Sequence, residues 1–307
     1  MNKPTNQSVA PLARAAALLG LLAGFAAAPA CAQTQAQPIY GAGSVLRDCA
    51  DCPEVVVLPK GRFTMGAAAD EVGRKPTEQP AHDVTISSLV GIGRFEIRRG
   101  EFARFAREAG YVTEAETGDG CWVWQSGELS KVNGTSWLKP GFDQTDTHPA
   151  VCVSWNDAQA YVKWLSQKTG KTYRLPTEAE WEFAARARST QRFSFGQDES
   201  RLPEYGWYVL NSGGHTHAVG ERKANAFGLY DMHGNAWEWT QDCWHENFTN
   251  APTDGSAWTD PASCNRRVFR GGSWGEKALS SRTATRAGSA VDNRSNFVGF
   301  RVVRVMP

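Results

Sequence analysis

Several things are missing from this 307-residue chain. No run is apolar for long enough to span a bilayer. Charge of neither sign prevails, with 33 Lys and Arg against 32 Asp and Glu, and the basic residues are scattered. A concentrated positive face of the kind that grips nucleic acid is therefore not expected. The sequence has no phosphate-binding P-loop, no dinucleotide fingerprint, no His-Glu-x-x-His zinc motif and no internal repeat. Beyond Ser189 helix signals vanish, and no cysteine follows Cys264. What is abundant instead is Gly (30) and Trp (12), a composition suited to a loop-rich domain held by buried aromatics.

The first 32 residues read as a secretory leader. Lys3 and Arg14 supply positive charge, residues 15–28 form a short apolar run, and Ala30-Cys31-Ala32 is a small-x-small cleavage site, placing the cut after Ala32. The alternative is a lipoprotein acylated on Cys31. Either implies a periplasmic or secreted protein. Residues 33–48 read as a flexible tether, and 49–307 as one domain. Six cysteines remain after cleavage, which in an exported chain argues for disulfides. Spacing leaves many pairings open. Nearest-neighbour closure is favoured: Cys49–Cys52, then Cys121–Cys152 and Cys243–Cys264 around polar excursions. The competing reading of Cys49-x-x-Cys52 as a redox or metal motif lacks the strand before and helix after.

Short β-branched runs at 54–58, 63–66 and 83–86 read as strands, with further β-like runs at 268–269 and 297–303. Three helices are signalled. Residues 99–109 put Phe102, Phe105 and Ala109 on one face. Ser154 and Asp157 form a capping box for the second helix, which Gly170 ends. Thr177 and Glu180 form a box for the third, with Trp181, Ala184 and Ala185 inward.

Five segments carry a family likeness in order: CPEVVVLPKGRFTMG at 52–66, the run 148–187 containing RLPTEAEWEFAARA, NAFGLYDMHGNAWEWTQDCW at 225–244, RVFRGGSW at 267–274 and GFRVVR at 299–304. Together they resemble the sulfatase-modifying-factor, or formylglycine-generating-enzyme-like, family. The resemblance implies an α+β, C-type-lectin-like fold with long packed loops. It implies a structural Ca²⁺ held by the side chains of Asp231 and Glu238 and the carbonyls of Gly234 and Ala236. Hard oxygen donors on a flexible loop suit that ion. The plainer alternative has Asp231 capping a turn and Glu238 paired with an arginine.

The resemblance fails where the family's sulfatase-activating members bind copper. Their cysteine pair follows the GGS-aromatic motif, and a soft Cu(I) ion needs those soft ligands. Residues 275–282, GEKALSSR, contain none, and Glu276 stands where the first would fall. Copper is thus not expected. Glu276 becomes the candidate general acid or base. Trp274, Arg282 and Arg286 are candidate walls of a substrate pocket, arginine being suited to planar anions. For Trp274 the core reading is favoured over the wall, and Arg270, Arg282, Arg286 and Arg301 could instead pin loops. His215 and His217 share a face but lack a third ligand, and His233 is expected to face outward. The expected activity is oxidative modification of a peptide, protein or secondary metabolite, resembling the pyoverdine-maturation branch. The alternatives are a lectin-like binding module without catalysis, and formylglycine generation by another route.

Overall fold

The computed structural model describes Met1 and residues 40–125, 127–260 and 264–307. The leader and Cys31 readings, Met1 aside, and the tether reading up to residue 39 lie outside the described residues. From Tyr40 to Pro307 the chain is one compact unit. Its elements are β1 (Val45–Leu46), β2 (Val55–Leu58), β3 (Gly61–Met65), β4 (His82–Ile86), β5 (Val90–Gly93), α1 (Arg99–Ala109), α2 (Glu114–Thr117), β6 (Cys121–Gln125), β7 (Glu128–Val132), α3 (Trp155–Thr169), β8 (Tyr173–Arg174), α4 (Glu178–Arg186), α5 (Leu202–Tyr205), β9 (Trp237–Cys243), β10 (Arg266–Arg270), β11 (Arg286–Ala290), β12 (Val298–Gly299) and β13 (Val303–Val305). None of the described helices is long and apolar enough to cross a membrane.

The helices begin and end where local chemistry dictates. Ser154 Oγ accepts from the Asp157 N–H at 3.0 Å while the Asp157 carboxylate accepts from the Ser154 N–H at 2.9 Å. Gly170 closes α3 in the left-handed conformation, φ 65°. Thr177 and Glu180 repeat the reciprocal pair at the start of α4.

Two sheets carry most of the strands. One runs β1-β2-β5-β13-β8, antiparallel throughout; the other runs β11-β10-β9-β12, with β9 and β12 parallel. Separate two-stranded ribbons join β3 to β4 and β6 to β7. One apolar cluster packs Phe102, Phe105, Tyr161, Trp237, Trp239 and Phe300 between α1, α3 and the second sheet. Another gathers Val56, Leu58, Trp181, Phe183, Leu229 and Met232 around α4. Disulfides join Cys49 to Cys52, Cys121 to Cys152 and Cys243 to Cys264.

One reading is corrected. The tether does not extend to residue 48: Val45 and Leu46 pair with Val56 and Val55, and Asp48 accepts hydrogen bonds from Tyr173 and Arg304. On α4, Trp181, Ala184 and Ala185 are buried as expected, and acids are buried with them. Glu178 and Glu182 are buried one turn apart and hold arginines from the second sheet. Arg270 on β10 reaches both glutamates, Arg286 on β11 binds Glu178 through two nitrogens, and Arg186 returns to Glu182. Burial alone would raise Glu182, but Arg186 and Arg270 hold it below the ordinary carboxylate range.

Candidate functional site

The loop before β9 is built from unusual backbone. Asp231, Gly234 and Asn235 all have positive φ, at 58°, 121° and 65°. Position 234 must be glycine, since a Cβ there would lie 2.1 Å from the Trp207 carbonyl oxygen. The tight loop turns the Asn235 N–H onto that same oxygen at 2.8 Å.

This geometry gathers three buried carboxylates. Glu238, fully buried, receives the fork of Arg301 on both oxygens, at 2.5 and 2.6 Å, and Trp181 Nε1 at 2.7 Å. Glu96 accepts from the Ala236 N–H at 2.9 Å and from Asn235 Nδ2 at 2.7 Å. Asp231 accepts from the Gly220 N–H at 2.8 Å through Oδ2, while its buried Oδ1 has no partner among the described residues. Burial, then Asp231 and Glu238, push Glu96 well above the ordinary range. Burial is also the chief cause that pushes Asp231 up to about 6, with Glu238 contributing. Among the described residues Arg301 is the one guanidinium bonded within this cluster of three carboxyl groups, so carboxyl groups outnumber the cation.

A pH dependence follows from Asp231. Its folded value lies above its ordinary 3.8, so the fold favours the neutral form. That contribution is fully present below about pH 4 and is lost as pH rises through about 6. With divalent ions chelated, stability should fall between pH 4 and 7 in urea titrations. Asp231→Asn, which keeps the shape and removes the charge, should flatten that slope. A slope unchanged by the substitution would show that Asp231 does not carry it.

The donor set suits Ca²⁺ in part. The bare Oδ1 of Asp231 is the kind of atom a hard cation takes, and the backbone carbonyls of Gly234 and Ala236 lie on the same tight loop. Glu238 is more constrained, since Arg301 and Trp181 already bond both its oxygens and leave it only remaining lone pairs. Among the described residues no three His, Cys, Asp or Glu side chains converge on a common point for a metal. The fit is thus to an ion bound largely by Asp231 and carbonyl oxygens.

The second half of the site is the loop after β10. Trp274 is buried, its Nε1 donating to the Asn296 carbonyl at 3.1 Å, its own carbonyl accepting from Ser212 Oγ at 2.8 Å. Phe142 meets it edge-on at 5.5 Å. This anchored tryptophan presents Gly275 and Glu276 at the surface. Glu276 is half-buried, and its carboxylate accepts from Ser280 Oγ at 3.0 Å. The Val209 N–H bonds the Glu276 carbonyl, and the ring of Trp124 on β6 lies 3.4 Å from where a Gly275 Cβ would stand. Trp124 and Val209, which border this loop, are exposed, as is Leu210 next along the chain. Below the loop, Asn296 is fully buried, yet its Nδ2 has no partner among the described residues. Its Oδ1 accepts from the Trp124 N–H at 3.1 Å.

Other candidates fall elsewhere. Arg282 and Arg286 do not wall an open pocket. Arg282 is fully buried and grips Glu78 through two nitrogens and Glu71 through one. Arg286 is spent on Glu178 and on the Thr77 and His245 carbonyls. A guanidinium with its fork occupied cannot also clamp a substrate. Trp274 acts as a buried anchor and not as an exposed wall. His233 points inward: its Nδ1 meets the Ser281 carbonyl and its Nε2 meets Ser194 Oγ, both at 2.8 Å, and burial depresses it to about 4. His215 and His217 do lie close, their rings 4.6 Å apart, with His217 stacked on Trp207 at 3.6 Å. Gly271-x-Ser273-x-Gly275 has the spacing of a nucleophile elbow, but the loop runs into a single 3-10 turn and Ser273 is buried. Sequence reading missed Glu96, Trp124 and Asn296. The first two carry no local signal, and Asn296 lies just before a run read only as strand.

The chain belongs to the sulfatase-modifying factor enzyme 1-like domain family, whose model matches residues 42–306. It is 32% identical over 286 residues to a formylglycine-generating enzyme of Bos taurus, covering 81% of this chain and 74% of the relative. It is 34% identical over 285 residues to the inactive C-alpha-formylglycine-generating enzyme 2 of Mus musculus, covering 81% and 85%. Among solved structures it is similar to PvdO from Pseudomonas aeruginosa, at 41% identity and TM-score 0.78, covering 87% of this chain and all of that one.

Proposed function

We propose that this protein is an exported oxidative modifying enzyme that acts on a peptide or peptide-derived metabolite, in the manner of a pyoverdine-maturation oxidase, without a cysteine–copper centre. The observation that carries the reading is the 41% identity to PvdO across nearly its whole length. Within the chain, the glutamate in the loop after β10, bordered by an exposed tryptophan, supports it. Glu276 would accept the proton that leaves the substrate when it loses two electrons and two protons, with dioxygen as the acceptor reduced to hydrogen peroxide. Trp124 and Val209 would hold an apolar or aromatic part of the substrate. The test is oxygen uptake by purified protein in the presence of candidate oligopeptides containing condensed or aromatic side chains, together with product mass. Substrate-dependent uptake with a loss of two hydrogens supports the proposal. No uptake across such a panel, with intact binding, favours the second reading, a non-catalytic binding module, to which the inactive mouse relative lends weight. A Cys-x-Pro-x-Arg peptide should remain unmodified.

Ca²⁺ is proposed as a structural ion at Asp231 and the Gly234 and Ala236 carbonyls. It would supply the missing positive charge and tie the loop before β9 to the rest of the fold. Millimolar Ca²⁺ added after chelation should raise the thermal midpoint, by about 2.7 kcal/mol of stability at a hundred times its dissociation constant. Asp231→Ala should abolish the response. A midpoint indifferent to Ca²⁺ in the parent protein would remove the ion from this account.

A further inference from the structure

A cleft of about 470 Å³ opens between β3 and the end of α4, and neither Glu276 nor the carboxylate cluster lines it. Its volume lies in the range of small-molecule sites. Aromatic rings form its apolar side: Phe63 meets Phe183 at 5.5 Å, and Phe183 in turn meets Phe227 at 5.6 Å. Four cations line or border this floor, but two are already committed. Arg62 is paired with Asp83, and Arg186 is buried on Glu182 and the Gly66 carbonyl. Glu71, the one acid of the lining, is engaged by Arg282.

Lys60 and Arg188 remain. Both are exposed, and among the described residues neither meets a carboxylate. The backbone has a special form here: Ala187 and Arg188 are consecutive non-glycine residues with positive φ, 46° and 75°. Such conformations cost free energy and cluster at ligand clamps. They leave the Arg188 guanidinium 5.6 Å from the Phe227 ring, at the far end of the aromatic row. The end of α4 would by itself repel an anion. Its last carbonyls are covered, however. Ala187 N–H bonds Phe183, Asn225 Nδ2 bonds Ala184 and Ala185, and Ser189 N–H bonds Arg186.

We infer that this cleft binds a small organic anion with an apolar body, an aryl or acyl carboxylate or sulfonate. The body lies on Phe63 and Phe183, and the acid group sits between Lys60 and Arg188. The inference is independent of the oxidase reading, because it shares no residue with that site.

The test uses the fluorescent sulfonate 8-anilinonaphthalene-1-sulfonate with the folded full domain. Saturable binding is expected, displaced by decanoate at least about tenfold more effectively than by decanol, the difference a charge-assisted contact makes. The double variant Lys60→Ala, Arg188→Ala should weaken probe binding about tenfold or more. Thr190→Trp, an exposed lining position, should block it by filling the mouth. Glu276→Gln should leave it unchanged. Equal displacement by decanol, which needs no variant, would overturn the inference. So would a probe affinity that neither the double variant nor Thr190→Trp alters while both melt like the parent.

Discussion

Arg301→Leu should lower the thermal midpoint by on the order of 10 °C. Arg301 is fully buried, and among the described residues its fork is the only guanidinium bonded to Glu238, with the Gly93 and Tyr230 carbonyls taking two further hydrogens. Removing one partner of such a pair leaves a stranded buried charge and costs about 3–5 kcal/mol. Glu96 and Asp231 stand close enough to feel the same loss. For a domain of this size each kcal/mol is worth about 2–4 °C. Replacing both partners, Glu238→Met with Arg301→Leu, should recover much of the midpoint, because no charge is then left unpaired. Thermal melts followed by circular dichroism decide it. A single variant that melts within about 2 °C of the parent would mean that the pair is not the keystone its geometry implies.

Glu276→Gln should reduce turnover about 10²- to 10⁴-fold while leaving the melt close to that of the parent. The two expectations separate because the carboxylate is half-buried and its side-chain bond is to Ser280 Oγ, which glutamine's oxygen can still accept. The amide cannot take up a proton, so the limb of the pH–rate profile that reports a carboxylate should disappear. Glu276→Asp keeps the acid but shortens its reach, and should retain part of the rate. Turnover unchanged in Glu276→Gln would strip the residue of its role. A collapse of the melt along with the rate would make it a structural residue of the loop.

The three long helices were legible because each signal is local. Capping side chains, stripes at helical spacing and glycine stops all lie within about 15 residues: α1 carries its stripe, α3 runs from its capping box to Gly170, and α4 begins at its capping box. The nearest-neighbour disulfides were of the same kind. What escaped was everything held by partners far along the chain. Glu178 and Glu182 look like the solvated face of a helix until Arg270 and Arg286 arrive from 92 and 108 residues away. His233 seemed an outward loop residue, yet Ser194 and Ser281 receive it inside. At the candidate site, Glu276 was visible through a family position it fills, whereas Trp124 sits on a hairpin read only as a polar insertion between Cys121 and Cys152. The arginines were seen as candidates but misjudged, since whether a guanidinium is free depends on carboxylates that no sequence window contains.

One feature of the first sheet bears on how the protein folds. Strand β13 lies inside that sheet, paired on one side with β5 and on the other with β8. Without β13 the early strands β1, β2 and β5 have no neighbour that joins them to β8. The sheet therefore closes on a pairing more than 200 residues apart in the chain, between β5 and β13, and contacts of that separation slow assembly.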